Sequence, residues 1–194
     1  MTQTRVLPYI VGLTGSMASG KSTVLAQWAA LGAETISADE IVRELYKTQR
    51  VRRWLSAQFG SSEPAQVARV VFRRQDLRQK LETFLHPLVW QTAQKKLAVC
   101  RKPWVVFEVP LLFEAGWNKR VGLTVLVSAS PKTLPARLKA RGISVAEYEQ
   151  RRRAQGPEEE KIRQADLVIY NNQTKQRLCE QAERLYRAFE DLYV

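Results

Sequence analysis

The sequence predicts an α/β fold: a doubly wound, mainly parallel sheet with a helical insertion. Three observations point there. Apolar runs without alternation recur along the chain, at "YIVGLT", "WVVFEV", "LTVLVSA" and, more weakly, "DLVIYN", the pattern of a strand covered by helices on both faces. Segments of helical period separate them. The first run passes directly into a glycine-bounded loop and then a helix, a strand–loop–helix order that belongs to wound sheets.

Taken in order, "YIVGLT" reads as a short buried strand. "STVLAQWAALG" reads as a helix with Val24, Leu25, Trp28 and Leu31 apolar and Gly32 as its stop. "AETIS" is a short strand candidate ending at Ser37, and a helical stretch follows from Asp39 through Phe59. "FGSSEPAQ" breaks it. Two more helical runs, Val67 to Phe84 and Leu88 to Ala98, complete a helical subdomain over residues 40–100. Lys102 and Pro103 introduce "WVVFEV", which Pro110 bounds, and an arginine-rich stretch at 131–160 separates the next two strands. The last helix places Leu178, Ala182, Leu185, Phe189 and Leu192 on one side, a packing face that needs no functional explanation. No internal repeat interrupts the pattern, so residues 1–194 read as a single domain.

Lysine and arginine number 31 against 19 acidic residues, a formal charge of +12 with a pI near 10.0. Such a balance suits either nonspecific nucleic-acid association or substrates that each carry several phosphates. The cations gather from Lys47 to Lys80 and from Arg137 to Arg153. No helix-turn-helix, RNA-binding or zinc module is recognisable, so no specific nucleic-acid partner is expected. No stretch approaches the ~20 apolar residues of a membrane helix, and the N-terminal apolar patch contains the glycines and lysine of the loop, unlike a signal peptide. Cys100 and Cys179 have no partner at metal-ligand spacing, and a reducing, cytoplasmic setting is expected.

The loop from Gly15 through Ser16, Met17, Ala18, Ser19 and Gly20 to Lys21, Ser22 and Thr23 fits G-x-x-x-x-G-K-[ST]. Glycines let the backbone curl with its N–H groups inward, a concavity suited to oxyanions. Lys21 would reach the β- and γ-phosphates of a nucleotide, and Ser22 would offer a hydroxyl to Mg²⁺. A glycine- and serine-rich turn that binds nothing is the plain alternative; the strand before and the helix after favour phosphate binding. Asp39, just past the second strand, suits either a proton acceptor for a substrate hydroxyl or a helix N-cap. Glu108 ends "WVVFE" where a strand would present an acid toward a metal, although apolar runs often end in an acid.

The phosphate loop, "SADEIVREL" from Ser37, "LETFLHP" from Leu81, "VPLLFEAG" from Val109 and "ADLVIYNN" from Ala165 together resemble, in order, the dephospho-coenzyme A kinase family. The resemblance implies the P-loop nucleoside triphosphate hydrolase fold and phosphorylation of the ribose 3'-hydroxyl of dephospho-CoA by ATP with Mg²⁺, the last step of coenzyme A synthesis. Residue by residue, it implies that Asp39 is the base and that Arg43 meets the acceptor's phosphate or holds the acid. His86, beside Pro87, would contact the acceptor or simply pack, and Pro87 suits a first helical turn. Pro110, Leu111, Leu112 and Phe113 would form an acceptor wall, with Glu114 at or just behind it. Arg137, Arg141 and Arg151 would lie in or beside a lid that closes over ATP, with Arg141 its catalytic arginine and Gln155 in the same region, and Asn171 would lie on the nucleotide side. Ser22 and Glu108 would be the metal side. The chain departs from the family pattern at Ser37, where an Asp is usual, at Glu108 in place of Asp, at Pro64 where an arginine would fall, and at Gln173 in place of glycine. Other readings are a small-molecule kinase of the nucleoside monophosphate type and a basic nucleic-acid-associated ATPase. Small-molecule partners and a monomer are expected.

Overall fold

The computed structural model describes residues 7–71, 73–140, 142–144, 148 and 155–193. Among these residues five strands, β1 (Tyr9–Thr14), β2 (Glu34–Ser37), β3 (Trp104–Glu108), β4 (Leu123–Ser128) and β5 (Leu167–Tyr170), form one sheet in the order β2-β3-β1-β4-β5. β1 runs parallel to β3 with Leu13 opposite Glu108, and parallel to β4 with Leu13 opposite Val125. β4 and β5 are parallel too. The chain leaves β1 in one direction for β2 and later crosses to the other side for β4. Winding therefore reverses at β1, and the loop after β1 opens where wound sheets bind ligands.

Helices α1 (Lys21–Ala30) and α8 (Lys175–Tyr193) cover one face of this sheet. Val11, Leu13, Val24, Trp28, Trp104, Val106, Val125, Val127, Ile169, Leu178, Ala182 and Phe189 bury their side chains in one continuous core. The two indoles here keep their N–H groups paired, Trp28 with the Ala182 carbonyl at 2.7 Å and Trp104 with Glu190 at 2.8 Å, as burial of an indole requires. On the other face Phe107 stacks on Trp117, and Leu112 is fully buried. Residues of β3 are buried without exception, which accounts for its unbroken apolar sequence. Between β4 and β5 the chain forms α6 (Leu134–Ala140) and α7 (Glu158–Gln164); the lid residues Arg141 and Arg151 lie outside the described residues. No helix among the described residues is long and apolar enough to cross a membrane.

Residues 37–98 make a second compact unit of helices: α2 (Ala38–Lys47), α3 (Gln49–Phe59), α4 (Pro64–Val71) and α5 (Gln75–Leu97). Val51, Leu55, Val67, Val71 and Leu85 form its core, and Trp54 stacks on Phe84 at 3.8 Å. Four boundaries differ from the sequence expectation. The single helix expected from Asp39 to Phe59 is two, because Thr48 adopts an extended backbone and its hydroxyl accepts from the Val51 N–H, capping α3. The next helix begins at Pro64, not Val67, a first position that suits a residue with no N–H to lose, and it ends at Val71 instead of running on to Phe84, since Arg74 takes an extended backbone before α5 starts at Gln75. The break expected before Leu88 is absent, and α5 runs through Pro87. Pro87 thus stands inside a helix, not in a first turn. An internal proline costs ~3 kcal/mol, and burial of Leu85, Val89 and Ala93 on either side holds the helix together.

Candidate active site

The loop between β1 and α1 is shaped by contacts that leave no room for side chains at its two glycines. A Cβ on Gly15 would stand 2.5 Å from the Val127 carbonyl oxygen, and one on Gly20 would stand 2.3 Å from the Asn171 amide nitrogen. Gly20 also has φ +107°, a left-handed value that disfavours any side chain. It is the N-cap of α1 and supplies no side-chain oxygen to the first turn. The Thr23 N–H donates to the Gly20 carbonyl at 2.9 Å, and the N–H groups ahead of it are those a helix start offers to an anion, with the helix dipole behind them.

The outer wall of the loop is held by two side chains. Asn171 donates to the Ser19 carbonyl at 2.7 Å, and Arg137 donates to the carbonyls of Asn171 at 2.8 Å, Ala18 at 3.3 Å and Ser19 at 3.4 Å. A cavity of about 280 Å³ opens beside them, lined by Gly20, Thr23, Arg137, Asn171, Gln173 and Lys175 among others. Its size and its position at the head of α1 suit the base and sugar of a nucleotide whose phosphates occupy the loop. Asn171 was expected on this side. Gln173 and Lys175 were not among the sequence-selected site residues, and Arg137, expected in or beside the lid, instead holds the loop wall, since nothing in the local sequence marks a guanidinium that folds back onto a loop more than a hundred residues away.

Inside the loop Lys21 forms an ion pair with Glu108, the two side chains being 17% and 7% exposed. The parallel register sets Glu108 beside Leu13, at the point where β1 gives way to the loop. The Val109 N–H donates to the Leu13 carbonyl at 2.9 Å and fixes that junction. Ser22, one residue into α1, is exposed. Together Ser22 and Glu108 offer one hydroxyl and one carboxylate. No cluster of three or more His, Cys, Asp or Glu occurs among the described residues, so an ion here would take its remaining ligands from phosphate and water. That donor set fits Mg²⁺, which usually keeps several waters and few protein ligands.

Beyond β3, Pro110 and Leu111 are half-buried, and the Pro110 carbonyl accepts from the Thr14 hydroxyl at 3.4 Å and from Gln155 at 3.5 Å. Glu114 accepts from the Gly156 N–H at 3.0 Å and pairs with Lys161 at 2.9 Å. Ser16 of the loop donates to Glu158 at 2.6 Å. In the helical unit, Asp39 lies in the first turn of α2, whose N-cap is Ser37; the alternative that Asp39 itself caps the helix does not hold. Arg43, one turn on, donates through Nε to the Asp39 carbonyl at 3.2 Å, and His86 is half-buried in α5 next to Pro87.

A parallel sheet with a glycine loop at its head, a lysine inside that loop and an acid on the adjacent strand defines the chain as a P-loop protein that handles nucleotide phosphates. Comparison with known proteins narrows this. The Dephospho-CoA kinase family model matches residues 9–176. Dephospho-CoA kinase of Symbiobacterium thermophilum is 38% identical over 192 residues, covering 92% of this chain and 80% of that protein. The Geobacter metallireducens enzyme of the same name is 37% identical, covering 92% and 95%. A solved structure from Thermus thermophilus superimposes with a TM-score of 0.85 at 33% identity over 94% of this chain and 98% of that one. The chain belongs to the dephospho-CoA kinase family.

Proposed function

We infer that this chain transfers the γ-phosphoryl group of ATP to dephospho-CoA, giving CoA and ADP, and that the acceptor atom is the ribose 3'-hydroxyl. The observation that carries the reading is the Lys21–Glu108 pair inside a preshaped phosphate loop, in a chain of this family. The backbone of residues 15–20 and the first turn of α1 cradle the phosphates, and Lys21 exchanges Glu108 for phosphate oxygens as ATP enters. Thr23, Met17 and Ala18 shape the cradle, and Asn171 and Arg137 keep its wall in place. Mg²⁺, held by Ser22 and directly or through water by Glu108, would offset charge on the phosphates when bound.

Asp39 is proposed to take the proton of the attacking hydroxyl, a role for which a carboxylate in a first helical turn is chemically suited. Arg43 and His86 are proposed to bind the acceptor, with Pro110 and Leu111 as its apolar wall and Glu114 behind them. Arg141 is carried by the family resemblance as the arginine that forks two phosphoryl oxygens. Neither Cys100 nor Cys179 is in a disulfide, which supports the reducing, cytoplasmic setting proposed for the protein. The test is ADP release from ATP and Mg²⁺ with dephospho-CoA, AMP, thymidylate or shikimate as acceptor. Dephospho-CoA should exceed the others by at least about 10²-fold in kcat/KM, as sites that hydrogen-bond their substrate discriminate strongly. A preference for a nucleoside monophosphate would replace this reading with the monophosphate-kinase one.

A further inference from the structure

Lys161 is among the most deeply buried charged groups described, with its side chain only 3% exposed. Lysine is almost never that buried unless paired. Its partner is Glu114, which follows β3, while Lys161 itself sits in the middle of the short helix α7. One turn earlier on α7, Glu158 accepts a hydrogen bond of 2.6 Å from Ser16, the second residue of the phosphate loop. Immediately before the helix, the Gly156 N–H donates to Glu114, and Gln155 donates to the Pro110 carbonyl that Thr14 also reaches. Glu158 and Lys161 are three residues apart and share one side of a helix. That side faces the loop at one end and the segment after β3 at the other. An ion pair of this kind gives little net stability against an apolar pair of similar volume, and its value lies in fixing one arrangement.

We propose that Glu158 and Lys161 are positioning residues for phosphoryl transfer: anchored on Glu114, Lys161 sets the register of α7, and Glu158 in that register holds Ser16 and so the phosphate loop. The proposal rests on the kinase reading above, because it concerns the geometry of the same loop. It gives Glu114 a part that does not require contact with the acceptor. Displacement of a reactive geometry by about 1 Å from a remote change costs on the order of 10²-fold in rate, so a strut with no contact to substrate can still govern turnover.

The test is a double-mutant cycle between Ser16→Ala and Lys161→Met, read by calorimetric ATP binding, which needs no acceptor, and by kcat with dephospho-CoA. If Lys161 acts through α7 on Ser16, each single change weakens ATP binding and lowers kcat. The double variant is then no worse than Lys161→Met alone, falling short of the product of the single effects by at least about threefold, beyond the scatter of independent sites. Effects that multiply overturn the proposal, as does an unchanged ATP affinity and kcat in Lys161→Met. A second pair keeps the question decidable should Lys161→Met fail to fold. Glu158→Gln, which retains an oxygen for Ser16, should keep ATP binding within about threefold of the native protein, whereas Glu158→Ala should lose about tenfold, the effect of one charge-assisted hydrogen bond. Equal behaviour of those two variants would also overturn it. Because ATP binding is measured without acceptor, inactivity of the native protein toward dephospho-CoA would count against the kinase reading alone.

Discussion

Replacement of Gly20 by alanine tests the construction of the phosphate loop at its tightest point. The added Cβ would lie 2.3 Å from Asn171 Nδ2 and 2.9 Å from a Leu178 methyl, both below any normal contact. Asn171 cannot retreat without giving up its 2.7 Å bond to the Ser19 carbonyl, in a side chain that is buried. A left-handed φ costs a non-glycine residue about 1–2 kcal/mol, and a buried polar group left unpaired costs about 1–3 kcal/mol. The sum, about 2–5 kcal/mol, should lower Tm by roughly 5–15 °C in a chain of this length. ATP affinity should fall with it, since the same movement opens the wall of the cradle. Two controls separate the terms. Gly60→Ala carries φ +72° with nothing within 4 Å, so it should cost the strain alone, about 1–2 kcal/mol. Gly156→Ala meets nothing within 4 Å and has no left-handed φ, so it should be close to neutral. Thermal unfolding and calorimetric ATP titration of the three variants give the answer. A Gly20→Ala protein no less stable than Gly60→Ala, with unchanged ATP affinity, would refute the assigned packing of Asn171 against the loop.

Other expectations follow from the same contacts. Lys21→Ala should reduce ADP release to near background, and it should also cost up to about 3 kcal/mol of stability because buried Glu108 loses its cation; adding Glu108→Gln should return the stability, seen in Tm, without the turnover. Arg137→Ala removes three hydrogen bonds to the loop and its neighbour, and should weaken ATP binding by about 10- to 100-fold, the range for bonds made by a charged group. Asp39→Asn should bind ATP as the native protein does yet turn over about 10²-fold more slowly or worse, which single-turnover kinetics would show. Tyr193, stacked on Tyr9 at 4.3 Å, has its phenol pushed up to about 12 from the usual 10.0, by burial first and then by its hydrogen bond with Tyr9. A raised pKa of this kind gives stability that is complete below pH 10.0 and lost as pH rises toward 12. Melting temperatures at pH 9 and pH 11 should therefore fall further apart in the native protein than in Tyr193→Phe.

Much of this was legible because it depends on local sequence. The strands at Tyr9, Trp104 and Leu123 are read from continuous apolar runs, and the phosphate loop from residue types at fixed spacing, which are sequence properties by nature. Glu108 was selected by its place at a strand end, and its partnership with Lys21 depends only on the register of two neighbouring strands. The break at Thr48 was missed because a hydroxyl's local bond competes with helix continuation, and periodicity does not register that competition. Pro87 misled in the opposite sense: its local cost is real, and flanking burial outweighs it. Lys161, Glu158 and the loop contacts of Arg137 were beyond reach for a different reason. Their partners lie 34 to 119 residues away in sequence for Arg137 and 142 for Glu158, so no window of sequence contains the interaction that gives each its role.

The product of the reaction bears most directly on the account. ATP, Mg²⁺ and dephospho-CoA incubated with the native protein should give a compound with the mass of CoA, whose new phosphorus resonance is that of a ribose 3'-phosphomonoester and whose chromatographic behaviour matches authentic CoA. ADP should appear in equal amount. A phosphorylated product with the group at another position, or ADP formed with no phosphorylated acceptor at all, would contradict it.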